Sequence, residues 1–346
     1  MFQSVLIIKL SSVGDVVMAT PVVRHLKSLF QARIVWAIDE GIAPLLQGHP
    51  DIDDLLLFPR DPFRPFALNL PALAPKLGLM LRKLRGQSFD LAIDLQGRGR
   101  SYAILQLSRA QMKVGRGRFP FLKHTVAHRR DVARHAVESY FEAIDILGLP
   151  RPQDARIVLP EFPDDRQRVR CVLSKSKIDS GFVCVAPGAS WPSKRWPLQY
   201  WAQVIDWLLS QDQQVVLVGS AGEAGLGREL ASRASFPERI ISLFGAFTLR
   251  ELISVFKLSR LCLAADTGPL HIAAASGAPV IALFGASDPV RTAPWPAGTA
   301  EIVTAPDCRH CRLPRCAKGC MSKLPPGAVI AKAAGILQQT QASFKA

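Results

Sequence analysis

Long apolar runs are what this sequence lacks: across 346 residues no stretch approaches the roughly 20 apolar residues that a bilayer-spanning helix requires. A membrane-spanning function is therefore not expected. Low-complexity tracts are missing too, and a chain with 49% hydrophobic and 21% charged residues has the material for buried cores, not for general disorder. The apolar run beginning near Ser4 is short, is interrupted by Lys9 and has neither a basic leader nor a small-residue cleavage site. It reads as a first strand rather than a signal peptide, and the expected location is the cytoplasm. Negative charge is scarce, with 28 Asp plus Glu against 43 Lys plus Arg. The deficit concentrates between Arg98 and Arg134, where ten basic residues meet one acidic residue, Asp131. Such a segment attracts polyanions or an anionic membrane surface; a solvated basic face without a dedicated partner is the plainer reading.

What the chain has in quantity is short Val-, Ile- and Leu-rich runs between helix-like stretches. They are VLIIKL, ARIVWAID, DDLLLF and FDLAIDLQ, then FVCVAP, QQVVLVGS, RLCLAAD and PVIALFG. Strands apolar on both faces belong in parallel sheets covered by helices. The expected class is therefore α/β, with two doubly wound domains, since the length exceeds what one ordinary core supports. Pro150, Pro152, Pro160 and Pro163 punctuate a polar stretch and place the boundary at about residue 160, giving domains 1–160 and 161–325. Open sheets of this kind bind ligands beyond the carboxyl ends of their strands, so strand ends are the positions to inspect. Leu77, Leu81 and Leu84 share a helical face ahead of Arg82, Lys83 and Arg85. Two readings are open there: a lipid-touching amphipathic element, or a core-packing helix with basic residues at its C-terminus.

Three strand ends carry chemistry. In VLIIKLSSVGDVV, Ser11, Ser12 and Gly14 suit a tight turn from strand to helix, and Gly14 permits close backbone approach. Asp15 follows, either as part of a helix cap or as a working carboxylate. In RLCLAADTGPLHIAAA the strand ends at Asp266, and Thr267, Gly268 and Pro269 turn into a helix beginning near Leu270. Unpaired N–H groups and the partial positive charge at such a helix start receive phosphate, and Thr267 adds a hydroxyl. His271, in the first turn, faces a ligand or is simply packed. The next strand delivers Gly285, Ser287 and Asp288 to the same edge. In VAPGASWPSKRWP, Lys194 follows the small-residue loop Gly188–Ser190, with Trp191 and Trp196 nearby. It either neutralises a diphosphate leaving group or closes a domain edge as a surface lysine between aromatics.

Taken together and in order, IIKLSSVGDVVMATPVVRHLK, PGASWPSKRWP and DTGPLHIAAASGAPVIALFGASDP resemble the lipopolysaccharide heptosyltransferases of glycosyltransferase family 9. The resemblance implies a GT-B fold, two Rossmann-like domains facing across a cleft, with a last helix at about 326–346 crossing back to the first domain. It implies an inverting transfer of heptose from ADP-L-glycero-D-manno-heptose to the Kdo/heptose inner core of lipopolysaccharide, with no catalytic cofactor. Asp15 maps onto the general base and Lys194 onto the donor-phosphate contact. Ser190, Asp266, Thr267, Gly268 and His271 map onto donor binding; Ser12, Gly14 and Arg116 are the matching acceptor-side candidates. KLSSVGDVV looks most similar to the enzymes that act on Kdo. A monomer at the inner face of the cytoplasmic membrane is the implied working state, its basic segment meeting anionic lipid A. Pro269 departs from the Leu or Met usual there, at little cost in a first helical turn. Another sugar donor or acceptor within the family is the nearest alternative. A nucleic-acid module would leave the strand-end motifs unexplained and its cysteine cluster lacks interleaved aromatics, so no nucleic-acid partner is expected.

Near the C-terminus, Cys308, Cys311, Cys316 and Cys320 follow a C-x2-C-x4-C-x3-C spacing, with His310 beside them. A cytoplasmic location disfavours disulfides, which leaves a structural zinc, unligated thiols, or an iron–sulfur or redox centre. Cys171, Cys184 and Cys262 read as core residues of a helix or strands.

Overall fold

The computed structural model describes residues 1–59, 66–116, 124–126, 134–179, 181–308, 310–315 and 318–344; side chains at 66–72, 116, 124–126 and 340–344 lie outside the description. The chain divides after Pro160 into two compact units, Met1–Pro160 and Glu161–Ala346.

The first unit runs β1 (Ser4–Ile8), α1 (Val13–Phe30), β2 (Arg33–Asp39), β3 (Asp54–Phe58), α2 (Phe66–Arg85), β4 (Ser88–Asp94), α3 (Gly99–Leu107), β5 (Arg109–Arg116), β6 (His124–Val126) and α4 (Ala136–Ile146). Its strands form one sheet in the order β3-β2-β1-β4-β5-β6. The pairings are parallel, with Val5 opposite Ile34 on one side and Leu91 on the other. Val5, Leu6, Ile7 and Ile8 of the central strand are fully buried, as a strand covered on both faces must be. Met80 and Leu84 of α2 are buried against this sheet, with Leu77 and Leu81 packed beside them. That settles the leucine stripe as a core-facing one.

The second unit runs α5 (Pro163–Lys175), β7 (Val183–Ala186), α6 (Leu198–Ser210), β8 (Val215–Leu217), α7 (Ala224–Ala231), β9 (Ile240–Ser242), α8 (Glu251–Leu258), β10 (Leu261–Ala265), α9 (Gly268–Ala275), β11 (Val280–Phe284), α10 (Pro289–Thr292), β12 (Glu301–Thr304) and α11 (Pro326–Phe344). The sheet order is β12-β11-β10-β7-β8-β9. In both sheets the first and fourth strands of the unit lie side by side in the middle, and the chain order reverses there. Such a reversal opens a crevice at the carboxyl ends of the two central strands. In the first unit it falls between β1 and β4, in the second between β7 and β10.

Each sheet has six strands, two more than the apolar runs suggested. The additions, β5, β6, β9 and β12, are short or polar and lie toward the sheet edges. Two expectations are corrected. The last helix, expected to return to the first domain, packs within the second unit on α6, β10, β11 and β12, burying Val329, Ala333 and Leu337. Cys171, expected in a core, is exposed on α5, whereas Cys184 and Cys262 are buried and paired in register on β7 and β10. Among the described residues no helix is long and apolar enough to cross a membrane.

Candidate active site

In the first unit the crevice position is occupied by the turn after β1. Ser12 is the N-cap of α1 and Asp15 the third helical residue, and together they form a capping box. The Ser12 N–H and hydroxyl donate to Asp15 Oδ2 at 3.2 and 3.1 Å, while Gly14 is buried in the turn. Capping does not exhaust the carboxylate. The Tyr140 hydroxyl, from α4, donates to Oδ1 at 2.9 Å. Lys9 Nζ stands 3.7 Å from Oδ2 and 5.2 Å from the centre of the Tyr140 ring. The Asp15 side chain keeps 38% of its surface exposed, so it is fixed and still reachable. Burial by itself raises its pKa; the Lys9 charge and the bonds from Tyr140 and Ser12 outweigh that and hold the carboxyl below the usual Asp value.

The neighbouring strand end supports this turn. Asp94, 2% exposed, accepts the Gln96 and Gly97 N–H groups on Oδ1 at 2.8 and 3.1 Å. Its Oδ2 accepts the Ser101 hydroxyl at 2.8 Å. Burial pushes its pKa up against those bonds and the Lys9 charge. The turn so formed presents Gln96, whose Oε1 accepts the Leu10 and Ser11 N–H groups at 2.8 and 3.1 Å. Lys9, Asp94, Gln96 and Tyr140 were not singled out from sequence. Asp94 and Gln96 carried the same signal as Asp266, a polar residue ending an apolar strand; Tyr140 lies 125 residues from Asp15, beyond any local pattern.

In the second unit Lys194 closes a short 3-10 turn, Pro192–Lys194. Its Nζ donates to Asp266 Oδ2 at 2.7 Å and to the Asp266 carbonyl at 3.2 Å, and lies 5.1 Å from the centre of the Trp191 ring. Two of the three ammonium N–H bonds are thus engaged, leaving one for a ligand. Asp266, 5% exposed, also accepts the Thr292 hydroxyl at 3.3 Å and stands 3.5 Å from His271 Nε2. Burial opposes its ionisation; His271 and Lys194 outweigh that and hold the carboxyl far below its ordinary range. Asp266 is therefore the residue that positions Lys194 and His271.

The helix start beyond it is open. α9 begins at Gly268 with Thr267 as N-cap, and no side chain caps it. The Thr267 hydroxyl donates back to the Ala265 carbonyl at 3.2 Å. His271 Nδ1 and Ser287 Oγ are buried with no hydrogen-bond partner among the described residues. Buried polar atoms without partners are rare in folded proteins and call for a ligand or water. Ser190 is exposed in the loop after β7. In that loop a Cβ on Gly188 would stand 2.1 Å from Glu223 Oε1, so a side chain there would displace the Glu223 carboxylate.

The cysteine-rich segment braces this site. The Cys308 thiol donates to the Gly285 carbonyl at 2.9 Å, His310 Nδ1 lies 2.9 Å from the same oxygen, and the Arg312 N–H donates to the Ala286 carbonyl at 2.8 Å. The Ser193 N–H and hydroxyl donate to the Pro314 and Leu313 carbonyls at 3.1 and 2.6 Å. The strand end of β11 and the turn bearing Lys194 are thus tied to one strap. Cys311 is exposed and Cys320 buried, the latter in the second unit's core. Among the described residues no group of three or more His, Cys, Asp or Glu is placed to hold a metal, so a structural zinc, one of the alternatives for this spacing, has no support; Cys316 lies outside the described residues. So do residues 117–123 and 127–133 of the basic segment and the Arg116 side chain.

A family model described as glycosyltransferase family 9 (heptosyltransferase) matches residues 78–321. Lipopolysaccharide heptosyltransferase 3 of Escherichia coli K12 is 28% identical over 291 residues, covering 82% of this chain and 82% of its own. Among solved structures, a glycosyltransferase family 9 protein from Veillonella parvula superposes with a TM-score of 0.81 at 20% identity, covering 97% of each chain. The E. coli heptosyltransferase WaaC with ADP superposes with a TM-score of 0.74 at 21% identity, covering 96% of this chain and 99% of that one. The fold is the GT-B fold of these proteins.

Proposed function

Because the chain belongs to glycosyltransferase family 9, the heptosyltransferase family, we propose that it moves heptose from ADP-L-glycero-D-manno-heptose, with inversion, onto the Kdo of the lipopolysaccharide inner core. The observation that carries this is the content of the two crevice positions: a tethered, ionised Asp15 at one, and Lys194 beside an uncapped helix start at the other. Inversion needs a base within hydrogen-bond reach of the attacking hydroxyl while the diphosphate departs from the opposite face. Asp15 takes the hydroxyl proton, with Ser12 and Gly14 shaping the acceptor side. Its two oxygens are oriented by Ser12 and Tyr140, and Lys9 keeps it ionised.

The remaining N–H of Lys194 and the first N–H groups of α9 receive the diphosphate charge as the bond to the anomeric carbon breaks. Thr267 and Gly268 form that helix start, His271 Nδ1 and Ser190 bind the donor, and Asp266 keeps Lys194 and His271 in place. The step balances: the acceptor oxygen forms the new glycosidic bond, its proton goes to Asp15, and ADP leaves with the electron pair. The basic segment draws the protein, as a monomer, to the anionic inner face of the cytoplasmic membrane. The test is a transfer assay with ADP-heptose and Kdo2-lipid A: heptosylated product is expected, and turnover only with another nucleotide sugar contradicts the donor assignment.

A further inference from the structure

The segment between β11 and α10 is tied down on both sides of Ser287. The Gly285 carbonyl accepts the Cys308 thiol at 2.9 Å and lies 2.9 Å from His310 Nδ1, and the Ala286 carbonyl accepts the Arg312 N–H at 2.8 Å. Beyond it, the Asp288 side chain caps α10 by accepting the Val290 N–H at 3.0 Å, and the Asp288 carbonyl accepts the Thr292 hydroxyl at 3.2 Å. Ser287, 6% exposed, is gripped between these bonds, yet its own hydroxyl is buried with no hydrogen-bond partner among the described residues. A hydroxyl desolvated without a bond destabilises a fold, so one held in this way answers to a ligand or a water.

Its place in the sheet decides which part of a donor it meets. The groups assigned to the diphosphate, Lys194 and the start of α9, gather at the end of β10 around Asp266. β10 pairs with β11 on one side and with β7 on the other, a strand spacing of about 4.8 Å in each direction. A nucleoside diphosphate sugar with its diphosphate over β10 therefore sends one end over β7 and β8 and the other over β11. Beyond β7 and β8 stand Gly188 and Gly219, and a Cβ on Gly219 would lie 2.4 Å from the Phe244 ring; bare backbone beside an aromatic face suits a flat base. The β11 end is tighter and more polar. Ala286 is fully buried, a Cβ on Gly285 would meet Met321 Sδ at 2.4 Å, and the Thr292 hydroxyl joins the Asp288 carbonyl to Asp266. A sugar ring, which needs hydroxyl partners, fits that end.

We infer that the Ser287 hydroxyl hydrogen-bonds a hydroxyl of the sugar being transferred, which makes Ser287 a specificity residue of the donor site and the cysteine-rich strap the frame that holds it. The inference rests on the proposed function and names a residue that reads its sugar. Calorimetry on the full chain would titrate ADP and ADP-heptose into wild type and Ser287→Ala, with urea midpoints measured on the same preparations. Ser287→Ala is expected to bind ADP-heptose about three- to tenfold more weakly and to bind ADP as the wild type does. Because the hydroxyl has no partner among the described residues, the urea midpoint is expected to hold or rise. Equal losses for both ligands would overturn the sugar contact by moving the hydroxyl to the nucleotide, and unchanged affinity for both would overturn it by leaving the hydroxyl to a buried water. A lowered midpoint would mark a structural hydroxyl and overturn it as well. The two readings fail separately: a wild type that binds ADP but not ADP-heptose contradicts the proposed donor and this contact with it, whereas a wild type that binds both, matched by Ser287→Ala, contradicts the contact alone.

Discussion

Asp15 shows how one carboxylate serves two ends. Its capping bonds to Ser12 fix the start of α1, and the same bonds, with Tyr140 and Lys9, keep it ionised. Removing the Tyr140 hydroxyl takes away one of the influences that lower the pKa, so Tyr140→Phe is expected to raise it. The acid limb of kcat/KM then moves to higher pH, and the variant loses more activity at pH 5 than at pH 8; a pH–rate profile superimposable on the wild type contradicts this. Lys194→Met leaves Asp266 buried without its cation. A loss of about 3 kcal/mol in unfolding free energy is expected for such a broken pair, together with weaker ADP binding, both measurable by urea titration and calorimetry. Loss of ADP binding with unchanged stability would contradict the pairing with Asp266. Sequence offered Asp15, Lys194, Asp266 and His271 as candidates but not their partnerships: that Lys194 is held by Asp266, and Asp15 by Tyr140, depends on chain segments 72 and 125 residues apart.

The central strands were legible because each is a continuous apolar run, the mark of burial on both faces. The sheet edges were not: β5 reads RAQMKVGR, too polar to announce itself, and β9 has three residues. α11 was recognised as a helix yet placed on the wrong unit, because Val329, Ala333 and Leu337 reveal an apolar face without saying which core receives it. At the start of the second unit Glu161 is bound by Arg166, Lys257 and Ser254. The Arg166 bond leads, burial opposes it, and the Lys257 and Ser254 bonds add to it, so that the Glu161 pKa falls to about 2. A depressed carboxyl pKa stabilises the fold above its unfolded value and loses that contribution as pH falls through the folded one. Glu161→Gln is therefore expected to lower the urea midpoint at pH 7, with the gap to wild type narrowing as pH drops from about 4.5 toward 2. A gap independent of pH contradicts it. Ser193→Ala removes the hydroxyl that ties the Lys194 turn to Leu313. Weaker ADP binding, by a factor of about 3 to 10, is expected, and unchanged ADP affinity contradicts the bracing role of the cysteine-rich strap.

Across the whole molecule, the two units repeat one strand order and put their sequence motifs at the same topological position. That repetition explains why function was more legible than contacts: a doubly wound sheet directs ligands to the ends of its central strands, whatever surrounds them. The cysteine spacing left metal and unligated thiols both open, since four thiols close in sequence need not converge in space; Cys308 donates to a carbonyl and Cys320 lies in a core. The most direct test of the account is single-turnover transfer from ADP-heptose to Kdo2-lipid A by Asp15→Asn, with ADP affinity measured on the same preparation. The account predicts a fall in rate of about 10²- to 10⁴-fold with ADP binding intact. A rate within a factor of about three of wild type would contradict Asp15 as the base.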